Sequence, residues 1–279
     1  MKKCFALVFA LVLALGLTAC SGDSGSNELK VATSPDFAPM EFVDTSKTGQ
    51  DQYVGFDITL AKYIAEQMGK TLVIQPMSFD ACQAAVQSGS VDMAISGFGY
   101  KPDRAENFNL SDFYYTDGEE SIQTIIVKQE KGGQFSKAED FANLKVGAQV
   151  ASLQLGYCES QLPDTTEIVQ YTDLGTAVEA LRNDAIDALA VANSNGESII
   201  SKVGGLAKSG FNFEVDPDEG NVILMQKGND ELTKQVNEIL AKALADNLYL
   251  GWYEEAKALD GVNAAYDENG NLVSTEAAE

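Results

Sequence analysis

The 279-residue chain carries 42 acidic against 19 basic side chains and no histidine, a formal charge of −23. Without an imidazole there is no Ser-His-Asp triad, no Cys-His pair and no HExxH zinc site, so any catalysis falls to carboxylates, Lys, Tyr, Ser or Cys. So acidic a chain repels nucleic acid and anionic lipid, while an apolar fraction of 45% suffices for a packed core of one or two domains.

Lys2 and Lys3 precede an apolar run over residues 4–17, which has signal-peptide length and is short for a membrane span. The run ends in Leu17-Thr18-Ala19-Cys20, which resembles the lipobox of bacterial lipoproteins, and a Ser/Gly tether follows. The expectation is a signal peptide over 1–19, lipid attachment at Cys20 and a flexible tether over 20–28. This anchors the folded chain on the outer face of the cell membrane. Cleavage removes two lysines and no acid, which takes the charge to −25. Cys82 and Cys158 then remain in the folded part, and buried free thiols are expected of them.

Residues 29–33 form a short strand that runs into a loop held irregular by Pro35 and Pro39. Asp57 opens a helix whose Ile58, Ala61, Ile64, Ala65 and Met68 recur at helical spacing, with Gly69 as its stop. A strand over 72–76, a Ser78-capped helix to Gln87 and a buried strand over 91–96 complete a βαβ set. The rhythm restarts with strand 145–149, helix 152–161, strand 167–171, helix 173–183 and strand 186–191. Two such sets predict an α/β protein of two lobes, each a parallel-rich sheet flanked by helices.

The β-rich runs 122–128 and 221–227 are placed to be hinge strands between the lobes. Lobe 1 is then 29–121 plus 228–262, and lobe 2 is 129–220. A helix over 230–246, with a stripe of Leu232, Val236, Ile239, Leu240, Ala243 and Leu244, packs back on lobe 1. The polar tail 263–279 is expected to be loosely held.

Six stretches in order carry a resemblance: Ala32 to Pro39, Gly55 to Ala61, Gln87 to Asp92, Lys101 to Arg104, Phe108 to Tyr115 and Lys227 to Leu232. Over about residues 29–253 the chain resembles the family 3 extracellular solute-binding proteins, which feed ABC importers with polar amino acids. The resemblance implies a two-lobed periplasmic-binding-protein fold of type II kind that closes on a ligand by hinge motion.

The residues themselves suit a small anion. Ser96-Gly97-Phe98-Gly99 follows a buried strand, where glycines allow a ligand near the backbone, and Pro102 suits the first turn of a helix. Arg104 stands in that first turn, an unfavourable place for a cation unless something anionic meets it. Spacing leaves a ligand carboxylate and a surface ion pair with Asp103, Glu106 or Asp112 about even, and the resemblance favours the carboxylate. It also places Phe37 and Phe79 against the ligand side chain, where spacing alone favours a core role. From the second lobe it brings Gln149 and the turn Ala151-Ser152, in which Ala151 replaces the family's glycine. Ser152 suits a plain N-cap equally well.

The chain departs from the family at Ala192, where amino-acid binders usually carry the Asp that holds the ligand ammonium, and at Gly99, in place of a hydroxyl residue. Asp36 is the first substitute for the ammonium partner. Asn193, Asn195 and Glu119 are others.

The expected function is an extracytoplasmic substrate-binding lipoprotein of an ABC importer. It takes a small carboxylated solute, an amino acid first, acts as a monomer and delivers to a membrane permease, without cofactor or metal. Two alternatives stand beside it: a cyclohexadienyl-dehydratase-like enzyme on the same fold, and a ligand-sensing lipoprotein without transport. The chain's charge disfavours an anionic ligand at long range and favours one that is zwitterionic or cationic.

Overall fold

A computed structural model of the chain describes residues 27–115, 122–215, 220–263, 265–266 and 272–273. The signal peptide, Cys20, most of the tether, Glu119 and most of the tail lie outside the described residues.

The first lobe is built on a five-stranded sheet. Its parallel part pairs β1 (Glu28–Thr33) with β5 (Thr71–Pro76) on one side and β6 (Met93–Ala94) on the other. Antiparallel strands from later in the chain, β13 (Leu224–Gln226) and β7 (Phe108–Leu110), extend it beyond β6. A small antiparallel sheet of β2 (Asp36–Phe37), β3 (Glu41–Val43) and β4 (Tyr53–Val54) sits after β1. Helix α1 (Phe56–Gln67) follows it through Gly55, where φ is +118 and a Cβ would lie 2.3 Å from the Met40 carbonyl oxygen, so only glycine fits. Helix α2 (Phe79–Ser88) ends on Gly89 in the left-handed region.

The second lobe repeats the plan with β9 (Lys145–Gln149) parallel to β10 (Glu167–Tyr171) and β11 (Ala188–Ala192). Strands β8 (Gln123–Lys128) and β12 (Leu206–Asn212) close it antiparallel. Helices α4 (Leu153–Gln161) and α5 (Leu174–Arg182) start on side-chain caps, Ser152 accepting from the Leu155 N–H and Asp173 from the Thr176 N–H. Each run expected as a hinge strand supplies a strand to one sheet: β8 lies inside the second, β13 inside the first.

The short strands β2, β3, β4 and β7 are not signalled by the sequence, β2 falling in the stretch expected as an irregular loop, and three larger elements are not signalled either. Helix α6 (Asn193–Val203) follows β11 directly, and β12 follows α6. Helix α8 (Leu248–Asn263) comes after α7 (Asp230–Ala245) and brings Tyr249, Trp252 and Tyr253 around the buried Phe56 ring, which also meets Tyr114 and Tyr115. The expected stripe on α7 is narrower than drawn: Val236, Leu240 and Ala243 are buried, but Leu244 is 65% exposed. Leu244 follows Ala243 by one residue and so turns out of the contact face. Cys82 in α2 and Cys158 in α4 are buried free thiols.

Candidate ligand-binding site

The carboxyl ends of the parallel strands face each other across a cleft, the usual place for a ligand in open α/β sheets. The first lobe lines it with Asp36, Phe37, Phe79, Ser96, Gly97, Gly99 and Arg104, the second with Gln149 and Ser152. The expected ligand residues Asp36, Phe37, Phe79, Ser96, Gly97, Gly99, Arg104, Gln149 and Ser152 therefore meet in one place, while Asn193 and Asn195 do not line it.

Arg104 sits in α3 (Pro102–Asn107), a single short helix that Pro102 starts. Its side chain is turned inward and only 2% of the residue is exposed. The guanidinium lies 5.6 Å from the ring centre of Phe79 and 5.3 Å from that of Phe98. Nη1 donates to the Gly99 carbonyl at 2.5 Å, and Nη2 reaches across the cleft to the Ala151 carbonyl at 2.7 Å. Its Nε is buried without a partner. Asp103 turns instead to Lys101, at 3.8 Å. Burial pulls the Arg104 pKa down to about 10, so the charge stays at neutral pH and no carboxylate among the described residues pairs with it. An enclosed cation held only by carbonyls, with a donor to spare, is a place for an anion.

Ser152 serves as cap and cleft residue at once. Its Oγ accepts the Leu155 N–H at 3.1 Å, which leaves the hydroxyl proton for another acceptor. Ala151 before it holds φ at +61, in the left-handed region that favours glycine.

The Ser96–Gly97 turn departs from expectation. The Gly97 N–H donates to Asp57 Oδ2 at 2.7 Å, and the Ser96 hydroxyl donates to Glu41 Oε1 at 2.6 Å. Both donors face away from the cleft, so neither is on hand to clamp a ligand carboxylate. What Gly97 does supply is room: at φ +54 it lies so close to the Phe37 ring that a Cβ would sit 2.9 Å from Cε1. Gly99 makes room likewise for Leu153 from the opposite lobe. Phe79 stacks on Phe98 at 4.5 Å while also lining the cleft, so core and pocket roles coincide.

Asp36 is the acid of the cleft. Oδ1 accepts from the Ser34 hydroxyl at 2.9 Å, while Oδ2 accepts from the Leu174 N–H at 2.9 Å and from Gln149 Nε2 at 3.3 Å. Burial pushes its carboxyl up, against the pull of the Leu174 and Ser34 hydrogen bonds. Asn193 is a correction: it starts α6 one residue past Ala192, and its amide is engaged by Glu197 and Lys208, at 3.3 and 2.9 Å. The Ala192 methyl lines the cleft in its stead. Asn195 donates to the Ala38 carbonyl at 3.2 Å.

The cleft holds four further residues absent from the sequence reading: Gln123, Leu153, Gln154 and Asn221. Gln154 Nε2 donates to Gln123 Oε1 at 2.6 Å. Gln123 had one signal, a polar residue opening the apolar run Gln123 to Val127. Asn221 carries the same signal ahead of Val222 to Met225; Leu153 and Gln154 carry none.

Residues 29–255 match the model of the family described as bacterial extracellular solute-binding proteins, family 3. The arginine-binding extracellular protein ArtP of Bacillus subtilis (strain 168) is 32% identical over 263 residues, 88% of this chain and 94% of that protein. The structure is similar to that of the amino acid ABC transporter substrate-binding protein AbpA of Streptococcus pneumoniae bound to L-arginine. The TM-score is 0.77 and the identity 31%, over 84% of this chain and 96% of the other. It is also similar to the ancestral amino acid-binding protein AncCDT-1, a precursor of cyclohexadienyl dehydratase, with TM-score 0.70 and identity 25% over 82% and 95% of the two chains.

Proposed function

The chain belongs to the bacterial extracellular solute-binding proteins, family 3, and on that premise we propose that it captures an α-amino acid with a cationic side chain, L-arginine first, for an ABC importer. The observation that carries this is Arg104: a buried guanidinium that bridges the two lobes, keeps a free donor and meets no carboxylate among the described residues. A ligand carboxylate supplies the missing charge, with the Ser152 hydroxyl and the first turn of α4 as further donors.

Asp36 is the candidate for a cationic group of the ligand, since it is the acid among the described residues that line the cleft and Ala192 contributes no charge. Phe37 and Phe79 offer rings to the aliphatic or guanidinium part. A ligand with one carboxylate and two cationic groups also suits a body of charge −25, which attracts cations at long range. The same premise supports attachment at Cys20 through lipid, delivery by a single copy to a membrane permease, and binding without chemistry. In the dehydratase reading an acid must be ready to transfer a proton, and Asp36 is instead held by three donors.

A thermal-shift screen of the chain from residue 21 against amino acids, amines and carboxylates tests the proposal. L-arginine at a hundred times its dissociation constant adds about 2.7 kcal/mol of stability. A shift with carboxylates that lack an α-amino group, and none with basic amino acids, overturns it.

A further inference from the structure

Beneath the cleft floor, Glu41 of β3 and Asp57 of α1 are both completely buried. Each is tied to the Ser96–Gly97 turn, against which the Phe37 ring packs. Glu41 Oε1 accepts the Ser96 hydroxyl at 2.6 Å, and that hydroxyl accepts the Ser34 N–H at 2.9 Å. Asp57 Oδ2 accepts the Gly97 N–H at 2.7 Å and the Tyr114 hydroxyl at 3.0 Å. Glu41 Oε2 is buried with no N–H or O–H addressed to it, and the group hydrogen-bonded to this carboxyl besides Ser96 is Asp57. Two carboxyl groups bond to each other only when one of them carries a proton.

Among the described residues, the surroundings offer no cation in place of that proton. The titratable groups that face Glu41 and Asp57 are Asp36 from β2, Cys82 from α2 and Tyr114 from the segment after β7, with Asp80 beyond Cys82 and Tyr249 of α8 beyond Tyr114. All of them are acids. Burial first, and the Asp57 charge second, hold the Glu41 carboxyl well above its ordinary range, and burial, with the Asp57 charge after it, pushes the Tyr114 hydroxyl up as well. Two unshielded charges at this depth would repel each other and release the turn.

We propose that Glu41 and Asp57 share a single proton and that this shared proton is a built part of the binding site, making both carboxyls positioning residues for the Ser96–Gly97 turn and, through it, for the Phe37 ring. Glu41 with the proton donates to Asp57 while still accepting from Ser96. Asp57 keeps its charge for the Gly97 N–H and Tyr114. Loss of the proton places a second negative charge under the turn, directly behind the ring that the ligand meets.

The proton itself stands apart from the identity of the ligand; the positioning role rests on the amino-acid reading above. Urea unfolding without ligand, between pH 5 and 9, tests the first. In the folded wild type the pair keeps a proton that the unfolded chain releases above an ordinary glutamate pKa of about 4.3. Stability therefore falls as pH rises through that window. Relative to Glu41→Gln, the wild-type unfolding constant grows about tenfold per pH unit until the pair deprotonates. Parallel profiles for wild type and Glu41→Gln overturn the shared proton. So does an infrared spectrum of the folded wild type at neutral pH in which the Glu41→Gln difference shows no protonated-carboxyl stretch.

Calorimetry with L-arginine tests the positioning role. Glu41→Gln, which keeps a donor and an acceptor, binds L-arginine within about threefold of wild type and loses the wild type's decline in affinity at alkaline pH. Glu41→Ala, with the fold verified by circular dichroism, binds at least tenfold more weakly. Equal affinity for Glu41→Ala and wild type overturns the positioning role. Where Glu41→Ala does not fold, a tenfold loss in Glu41→Gln, or a wild-type affinity that ignores pH as Glu41→Gln does, overturns it as well.

Discussion

Asp36 Oδ2 lies 2.9 Å from the backbone nitrogen of Leu174, so a carboxylate of the first lobe caps a helix of the second. Leu174 is the first residue of α5, whose own cap, Asp173, serves the Thr176 N–H, and the Leu174 N–H is left for Asp36. Closure thus has a protein-made contact across the cleft, next to the one that Arg104 makes with the Ala151 carbonyl. Ligand and closed state then reinforce each other, because a closed form with contacts of its own needs less free energy from the ligand.

Asp36→Asn keeps the shape and removes the charge. A hydrogen bond to a charged acceptor exceeds a neutral one by about 1 kcal/mol, and the favourable field of the helix N-terminus is lost as well. The expected outcome is a weaker interlobe contact and, in ligand-free protein, a larger radius of gyration by small-angle X-ray scattering. Affinity for L-arginine falls by about tenfold or more, since the cationic end loses its counter-charge.

Ala151→Gly relieves a left-handed alanine. A non-glycine residue there costs roughly 1–2 kcal/mol, and glycine's greater freedom in the unfolded chain offsets part of it, so a gain of about 1 kcal/mol is expected in urea unfolding. The ligand affinity stays near wild type, because the carbonyl that accepts from Arg104 is unchanged.

Gly97→Ala acts in the opposite direction. Its φ is positive, and the new methyl meets the Phe37 ring at 2.9 Å. The ring has to tilt into the cleft, so the affinity for L-arginine drops by more than the loss of stability alone explains. Calorimetry and urea unfolding on the same sample separate the two effects.

Much of the frame is legible in the chain because its signals are local. Strands 145–149 and 167–171 agree residue for residue with β9 and β10, since each is a short β-prone run that a turn closes. Helix α6 escapes because it opens on Asn193-Ser194-Asn195-Gly196, residues that read as a turn until the buried strand before them is seen to end in a helix start. Strand β12 escapes for a similar reason: Lys208, Ser209 and Gly210 break the apolar alternation. In the site, strand ends and the short α3 bring together residues the sequence could name one by one. Their hydrogen-bond directions were not legible, and so the Gly97 N–H and Ser96 hydroxyl turn out to serve Asp57 and Glu41. Asp57 reads in sequence as a helix opener and Glu41 as surface, and only the packing around them shows that both are buried.

Arg104 remains the residue on which the whole account turns. Calorimetric titration of the mature chain with L-arginine, for wild type beside Arg104→Ala, tests it most directly. Wild type is expected to bind saturably, one to one. The folded variant is expected to lose about 2 to 5 kcal/mol, roughly thirty-fold to several thousand-fold in affinity. Unchanged affinity in Arg104→Ala, or no binding of any amino acid by the wild type, overturns the proposed function.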